Sequence, residues 1–443
     1  MTVIGLDDTD SRREGMCTTY LATRLAEAIE DAGGRVDRRL LIRLNPAVEH
    51  KTRGNAALAL HTDLDADRAF ALACEKLDSL AIGDDSHTSP GVVVAAGSPE
   101  TVPEAVTDHA RRSIRHRLSL EATLAAIETA GYRHCGWAGA GCDVEGRGRI
   151  GALAAVGAWA AFDEWTAETI AYREFDRCGT PREVDREAVF AAAEEGYPEV
   201  WDTVDREAGA AVCVPNAPGP ICYGIRGDES EATRAVADRI AAAEGTEPID
   251  RWSTFLTNQG TDAHLAAGSI GGLREGAGYR VDGVVESTPE TRRGGHVFFD
   301  LAAAVDSKAT AADEAVETVG CVAFEPTKRF RNRVRALRVG DRLTVCGEHS
   351  EGTIKLEKCA VRELNRTEQV TPDCPDCGRT MESAGRGQGY RCRDCKTSVP
   401  GKTERAVDRA IERGWYEVPP VARRHIATPL VRGGFDAPTH PER

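Results

Sequence analysis

The sequence predicts a multidomain α+β chain that ends in an oligonucleotide-binding (OB) β-barrel and a zinc ribbon, with part of a ferredoxin-like domain ahead of them. Three observations predict it. Two Cys-x2-Cys pairs, Cys374/Cys377 and Cys392/Cys395, stand 14 residues apart. Five short β-type segments run from Tyr279 to Cys359, with one helical patch between the third and fourth. A β-β-α-β pattern precedes them. At 443 residues the chain exceeds one domain, since about 100–200 residues per domain is usual.

Taken in order, Thr2–Leu6 reads as a short buried strand, followed by the acidic turn Asp7-Asp8-Thr9-Asp10-Ser11. A helix is predicted from Cys17-Thr18-Thr19. Leu21, Leu25, Ala28 and Ile29 recur at helical spacing, and Gly33-Gly34 ends it. Strands are predicted near Leu40–Leu44 and Ala56–His61, and helices over Asp65–Ala81, Arg111–Ala130 and Ile150–Trp159. Ala211–Val214, Ile221–Ile225, Glu229–Ala243 and Arg251–Thr257 form the β-β-α-β piece, half to three-quarters of a ferredoxin-like fold. The segment 56–100 is a candidate to complete it. The barrel strands are Tyr279–Glu286, His296–Leu301, Gly320–Phe324, Arg342–Gly347 and Thr353–Cys359, with Phe330–Leu337 helical, which is the OB order. Ser307–Glu317 reads as an acidic loop insertion. The expected domains are 1–205, 206–272, 278–366, a ribbon at 371–399 and a tail at 400–443.

The net charge is −15 with only eight lysines, a composition suited to concentrated salt, so acidity does not exclude a nucleic-acid partner. Residues 371–443 hold 13 Lys/Arg against 10 Asp/Glu. This basic tail points either to an anionic partner or to local fluctuation. Asp7 and Asp8 interrupt the first apolar run, which argues against a signal peptide, and the run Ile150–Phe162 is too short to span a bilayer. A cytoplasmic chain with reduced thiols, no membrane and no obligate protein partner is expected.

Each Cys-x2-Cys turns two thiolates toward one point, so Cys374, Cys377, Cys392 and Cys395 complete a tetrahedral sulfur site for structural Zn²⁺. Arg386 and neighbouring ribbon cations are candidate phosphate contacts. In the barrel, Phe298 and Phe299 point to opposite faces, leaving one for base stacking. Lys328 and Arg331 belong to a dense cationic run. Asp7, Asp8 and Asp10, at a strand end before a helix start, are hard oxygen ligands suited to Mg²⁺ beside nucleotide phosphates. Thr18 lies where the helix start can meet a phosphate, although a solvated turn with a helix cap uses the same residues. No Walker A motif is present: Gly401-Lys402-Thr403 has Lys396 where glycine is required. Two other cradles are candidates for ATP. One is Lys51, Arg53, Gly54 and Asn55; the other is Glu145–Gly151 with Arg147 and Gly148.

Ile4–Ser11 with Gly15–Leu21 closely resembles the opening of the TiaS family, archaeal synthetases of 2-agmatinylcytidine in a minor isoleucine tRNA. The likeness continues through Leu41–Pro46, Lys51–Asn55, Gly146–Gly148, Ile150–Ala158, Tyr223–Gly227, Gly294–Phe299, Ala323–Lys328, Met381–Gly389 and Tyr416–Pro420. The resemblance implies a kinase-like ATP-using α/β domain ahead of the ferredoxin-like domain. It implies agmatine attachment to carbon 2 of the wobble cytidine through a phosphorylated cytidine, switching decoding from AUG to AUA. It further implies Mg²⁺–ATP at Asp7, Asp8 and Asp10, phosphorylation of Thr18, and tRNA on the barrel and ribbon. The Cys135-Gly-Trp-Ala-Gly-Ala-Gly-Cys142-Asp143 stretch departs from the more basic text expected there. A non-catalytic nucleic-acid-binding protein is the alternative, but it leaves the acidic turn without a role.

Overall fold

The computed structural model describes residues 1–12, 15–49, 51, 54–81, 85–139, 141–304 and 317–443. Arg53 lies outside them, as does the expected insertion apart from Glu317.

A mixed sheet organises the first 257 residues. Its strands are β1 (Thr2–Asp7), β2 (Val36–Arg43), β3 (Ala56–Thr62), β4 (Gly91–Ala96), β5 (Arg133–Gly136), β6 (Thr166–Tyr172), β7 (Val200–Trp201), β8 (Ile221–Gly227) and β9 (Arg251–Thr257). Their order is β5-β4-β1-β3-β2-β9-β6-β8-β7. The strand at Ala56–Thr62 pairs with β1 and β2, whereas the last two strands of the β-β-α-β piece, β8 and β9, pair with β6. A single parallel junction, Leu256 with Leu40 and Thr257 with Leu41, joins the two halves.

Helices α1 (Thr18–Asp31) and α2 (Ala66–Leu80) cover one face, where Leu21, Leu25, Ile29 and Leu77 bury against Ile4, Leu58 and Val92. Asp65 caps α2 by accepting from Arg68 N, which fixes its start. The other face carries α3 (Glu104–Ser113), α4 (Leu120–Ala130) and α5 (Arg149–Ala161). The predicted continuous helix Arg111–Ala130 is therefore two helices. Ser119 opens the second by accepting from Ala122 N, and the chain turns between them. Helix α5, with eight of its 13 residues Ala or Gly, lies close across β1, β3 and β4, so close that a Cβ on Gly5 would stand 2.1 Å from the Ala152 carbonyl oxygen. Helices α6 (Arg186–Gly196) and α7 (Ser230–Ala241) pack on the second half. The expected strand Ala211–Val214 shrinks to Ala210–Ala211.

The second body is a five-stranded barrel. Strands β10 (Ala277–Val285), β11 (Val297–Ala302), β12 (Thr318–Ala323), β13 (Arg342–Ser350) and β14 (Thr353–Glu363) close in the ring β10-β11-β12-β14-β13. Helix α8 (Phe330–Arg335) lies between the third and fourth strands, and Phe330 and Val334 plug the core. The tail is part of this body, since Gly414–Glu417 pairs with β14. Its cations meet the protein's own carboxylates: Arg409 with Asp341, Arg423 with Asp202 and Glu417, Arg424 with Glu348 and Glu357, and Arg432 with Asp228. Much of the basic tail's charge is thus spent within the chain. Among the described residues, no helix is long and apolar enough to cross a membrane.

Candidate active site and nucleic-acid interface

Strand β1 ends in a sharp bend. Asp8 takes φ +58°, a left-handed conformation that aspartate tolerates better than most residues, and its N–H donates to Asp7 Oδ1 at 2.7 Å. The bend gathers Asp7, Asp8 and Asp10 on one wall of a cavity of about 190 Å³. Burial, then the charge of Asp8, raises the Asp7 carboxyl well above the usual carboxylate range. Arg147 partly offsets this charge, its Nη2 lying 2.9 Å from Asp8 Oδ2.

The start of α5 supplies the next wall. Arg147 N donates to Ser89 Oγ at 2.9 Å, which pins the glycine run. A Cβ on Gly151 would lie 2.0 Å from Asp7 Oδ2, and one on Gly148 would lie 2.5 Å from the Asp7 carbonyl oxygen. Only glycine lets the helix start touch the carboxylate, and a helix start favours anions. Lys51, Gly54 and Asn55 line the same cavity. Lys51 Nζ donates to the Pro46 carbonyl, and burial lowers its ammonium pKa. Asn55 Nδ2 donates to Asn45 O at 2.8 Å. The two cradles, read separately from sequence, thus line one and the same space. Ser113, His116, Arg117 and Leu118 line it too. Sequence reasoning missed them because the end of α3 reaches the cavity only through tertiary packing.

Thr18, the first residue of α1, is buried beside this wall. Its hydroxyl donates to Asp10 Oδ1 at 3.2 Å and accepts from Thr9 Oγ1 at 3.1 Å. Asp10 also accepts from Thr18 N at 2.6 Å, where Cys17 offers no side-chain cap. Such a hydroxyl, oriented on both sides with a carboxylate to take its proton, has the layout of an activated nucleophile.

The four ribbon sulfurs lie within 4.8 Å of one another, with Cys377 and Cys392 at 3.7 Å. A tetrahedron with bonds of about 2.3 Å to zinc has edges of about 3.8 Å, so the ligand set fits Zn²⁺. The backbone N–H of Cys395 lies 3.4 Å from Cys392 Sγ, a contact that favours the thiolate form a metal needs. Three two-residue strands, Glu382–Ser383, Tyr390–Arg391 and Ser398–Val399, frame the site.

On the barrel, Phe299 is in the core and Phe298 is half-buried beneath the Arg292 guanidinium, 4.4 Å from the ring centroid. Lys328 is exposed and pairs with Glu325 at 2.7 Å. Arg331 is engaged internally by Gly295 O and Glu325, so its charge serves the barrel's own loops. Arg386 is exposed in the ribbon.

A TiaS TCKD domain model matches residues 3–138, a TiaS FLD domain model residues 146–264 and a TiaS C-terminal zinc ribbon domain model residues 371–411. The chain is 58% identical to the isoleucine-tRNA 2-agmatinylcytidine synthetase TiaS of Haloquadratum walsbyi, covering 100% of both chains. It is 41% identical to the Methanosarcina mazei protein of that name, over 97% of each. A crystal structure of TiaS in complex with its isoleucine tRNA and ATP superposes with a TM-score of 0.85 at 39% identity, over 100% of this chain and 99% of that one. The complex of TiaS with the same tRNA, AMPCPP and agmatine gives 0.82 at 36%, over 100% and 99%. Identity of this order over the full length places the chain in one family: it belongs to the TiaS family.

Proposed function

We propose that this protein attaches agmatine to carbon 2 of the wobble cytidine of the minor isoleucine tRNA, using ATP and passing through a phosphorylated cytidine. The observation that carries it is the single cavity in which Asp7, Asp8, Asp10, Lys51, Gly54, Asn55, Arg147 and Gly148 converge beside the Thr18 hydroxyl. Relatives whose names and complexes specify an isoleucine tRNA, ATP and agmatine support it.

The donor set fits Mg²⁺. Asp7 and Asp8 are adjacent hard carboxylates, and burial, then the charge of Asp8, raises the Asp7 pKa. Bound there, the ion would neutralise triphosphate oxygens. The start of α5 and Lys51 orient the phosphates, and Gly148 and Gly151 permit their close approach. Asp10 holds the Thr18 hydroxyl and receives its proton when that oxygen takes a phosphoryl group. Transfer of a phosphoryl group from ATP to the cytosine carbonyl oxygen, the rest of the nucleotide departing, turns a poor leaving group into a good one. The agmatine amine then adds at carbon 2 and phosphate departs. The cytidine leaves its stack to react, at low cost in an anticodon loop. The five-stranded barrel, read as an OB-fold, would hold that loop through Phe298 and Lys328, and the ribbon would take another part of the tRNA through Arg386. We assign the kinase-like role to the β1–β5 half of the sheet with α1–α5, and the ferredoxin-like role to β6–β9 with α6 and α7.

The test is mass analysis of nucleosides from an unmodified isoleucine tRNA transcript after reaction with ATP and agmatine. The expected product is cytidine carrying agmatine in place of the carbonyl oxygen. Unchanged cytidine, with tight tRNA binding and no ATP consumption, rejects the reading in favour of a binding protein.

A further inference from the structure

We infer that Cys74 on α2 and Cys135 on β5 form an opposed thiol pair, and that a low-molecular-weight disulfide oxidant closes it into a bridge tying α2 to the edge strand behind the nucleotide wall. This modification site stands apart from the proposed reaction and from the zinc cysteines. Cys135 also opens the stretch whose text departs from the family expectation.

The pairing follows from register. Strand β5 is an outer strand of the sheet, and its Cα atoms approach those of α2 within 8 Å. Its pleat sends Tyr132 and His134 to the α5 side, where Tyr132 packs on the core beneath α5 and His134 Nδ1 lies 3.4 Å from Arg149 Nη1. Arg133, Cys135 and Trp137 take the α2 side. On α2, Asp67, Phe70, Cys74 and Asp78 recur every three or four residues and share one face. The two rows meet on both sides of the cysteines. Arg133 pairs with Asp67 at 2.5 Å and stands over the Phe70 ring, 5.8 Å from its centroid. Trp137 Nε1 donates to Asp78 Oδ1 at 2.6 Å. From Phe70 to Cys74 to Asp78 the helix climbs about 6 Å per step. From Arg133 to Cys135 to Trp137 the strand climbs about 7 Å per step. Matched steps between two fixed contacts set Cys74 opposite Cys135.

Both are half-buried free thiols against the same apolar layer. Burial, then the charges of Cys135 and Asp78 and a hydrogen bond with Cys135, push the Cys74 thiol up to about 11. A bridge spans Cα separations of about 4.4–6.8 Å, so closing this pair asks for only a small shift of the edge strand.

The chemistry is thiol–disulfide exchange. The Cys135 thiolate attacks one sulfur of the oxidant RSSR and expels RS⁻, leaving a mixed disulfide. Cys74, whose thiolate is disfavoured, acts second: it gives its proton to solvent, attacks the Cys135 sulfur and expels the second RS⁻. Two protein thiols lose two electrons to form one bridge, and RSSR is reduced to two thiols. The bridge braces the nucleotide wall from behind. Strand β5 runs into Trp137, whose N–H donates to Pro90 O at 2.9 Å and whose carbonyl accepts from Gly146 N at 2.8 Å, one residue ahead of Arg147. The rival partner is Cys142, seven residues on, whose Sγ donates to Val144 O at 3.3 Å.

The test treats the zinc-loaded protein with oxidised glutathione, alkylates the remaining thiols and maps peptides without reduction. The expected product is a linked pair of Cys74 and Cys135 peptides, two hydrogens lighter, that dithiothreitol separates. Oxidation should raise the melting midpoint by roughly 5–10 °C. Cys74→Ser, remote from the cavity and the ribbon, should lose both the linked peptide and the rise. Recovery of both cysteines alkylated, of Cys135 only as a glutathione adduct, or of Cys135 linked to Cys142 overturns the pair, and a bridge that leaves the midpoint unchanged overturns the brace. None of these readouts needs tRNA or turnover, so failure of the nucleoside assay would count against the proposed reaction and leave this result standing.

Discussion

Asp10 grips Thr18 twice, accepting its backbone N–H at 2.6 Å and its hydroxyl at 3.2 Å. The first bond satisfies a helix start that Cys17 leaves uncapped, and the second holds the hydroxyl against a carboxylate that lines the cavity. One residue therefore sets both the position and the proton path of the hydroxyl.

Thr18→Val should leave the fold intact and abolish product, while Thr18→Ser should retain activity. Asp10→Asn keeps the shape but weakens the proton acceptor, and should lower turnover by about 10²–10⁴-fold, the usual worth of a general base. Single-turnover kinetics with tRNA and ATP check both. Full activity in Thr18→Val would remove the hydroxyl from the reaction.

Gly151→Ala should displace the Asp7 carboxylate, because the new methyl would stand 2.0 Å from Oδ2. A conflict of this kind in a packed site costs about 1–3 kcal/mol of stability. Magnesium-dependent ATP affinity should fall by about 10–100-fold, as when a ligand loses its support. Calorimetry with and without Mg²⁺ separates the two effects, since binding without metal should change far less.

Parts of this site were legible in sequence and parts were not, for physical reasons. Four cysteines at fixed spacing carry their geometry locally, and so does an acidic turn between a strand and a helix start. Strand β11 alternates inward and outward, so Val297, Phe299 and Leu301 announce one face. By contrast, β4 and β6 are buried along almost their whole length, and the uninterrupted run Val92–Ala95 shows no alternation to read. Missing β6 hid the partner of β8 and β9, so segment 56–100 looked available to them. His116 and Arg117 carry no local signal. They reach the cavity because α3 packs on α5, a contact between small residues far apart in the chain.

His61 and His264 should make stability fall on mild acidification. Both are buried, and desolvation holds each imidazole down to about 4 from its ordinary 6.5. The unfolded chain takes up these protons near pH 6.5, and the folded chain does so only near 4. The stabilising contribution is therefore full above the upper value and is lost progressively as pH falls toward the lower one. It amounts to about 3 kcal/mol for each histidine. Denaturant midpoints between these limits should decline steeply, and His61→Leu should flatten the decline. An unchanged profile in that variant would show that His61 titrates normally.

Metal removal should act on tRNA and spare ATP. The ribbon has only Met381, Tyr390 and Val399 around its sulfurs, too little apolar surface to stand without zinc. A strong chelator, or Cys392→Ser, should release about one zinc per chain and weaken tRNA binding. Mg²⁺–ATP affinity of the cavity should be unchanged. Metal analysis alongside filter binding reads both, and undiminished tRNA affinity in zinc-free protein would leave the ribbon without its proposed role.

The two adjacent phenylalanines of β11 should respond in opposite ways, because the pleat sends them to opposite sides. Phe299 is buried in the barrel, so Phe299→Ala should cost about 3–5 kcal/mol of stability and broaden unfolding. Phe298 is half-exposed under Arg292 and available to a base, so Phe298→Ala should leave the melting temperature nearly unchanged. It should weaken tRNA binding by about 1–3 kcal/mol, the worth of one stacked base. Phe298→Trp keeps an aromatic face and should restore affinity, whereas Phe298→Leu keeps the bulk and should not. If leucine restored binding as fully as tryptophan, the position would be filling space and no base would be stacking there.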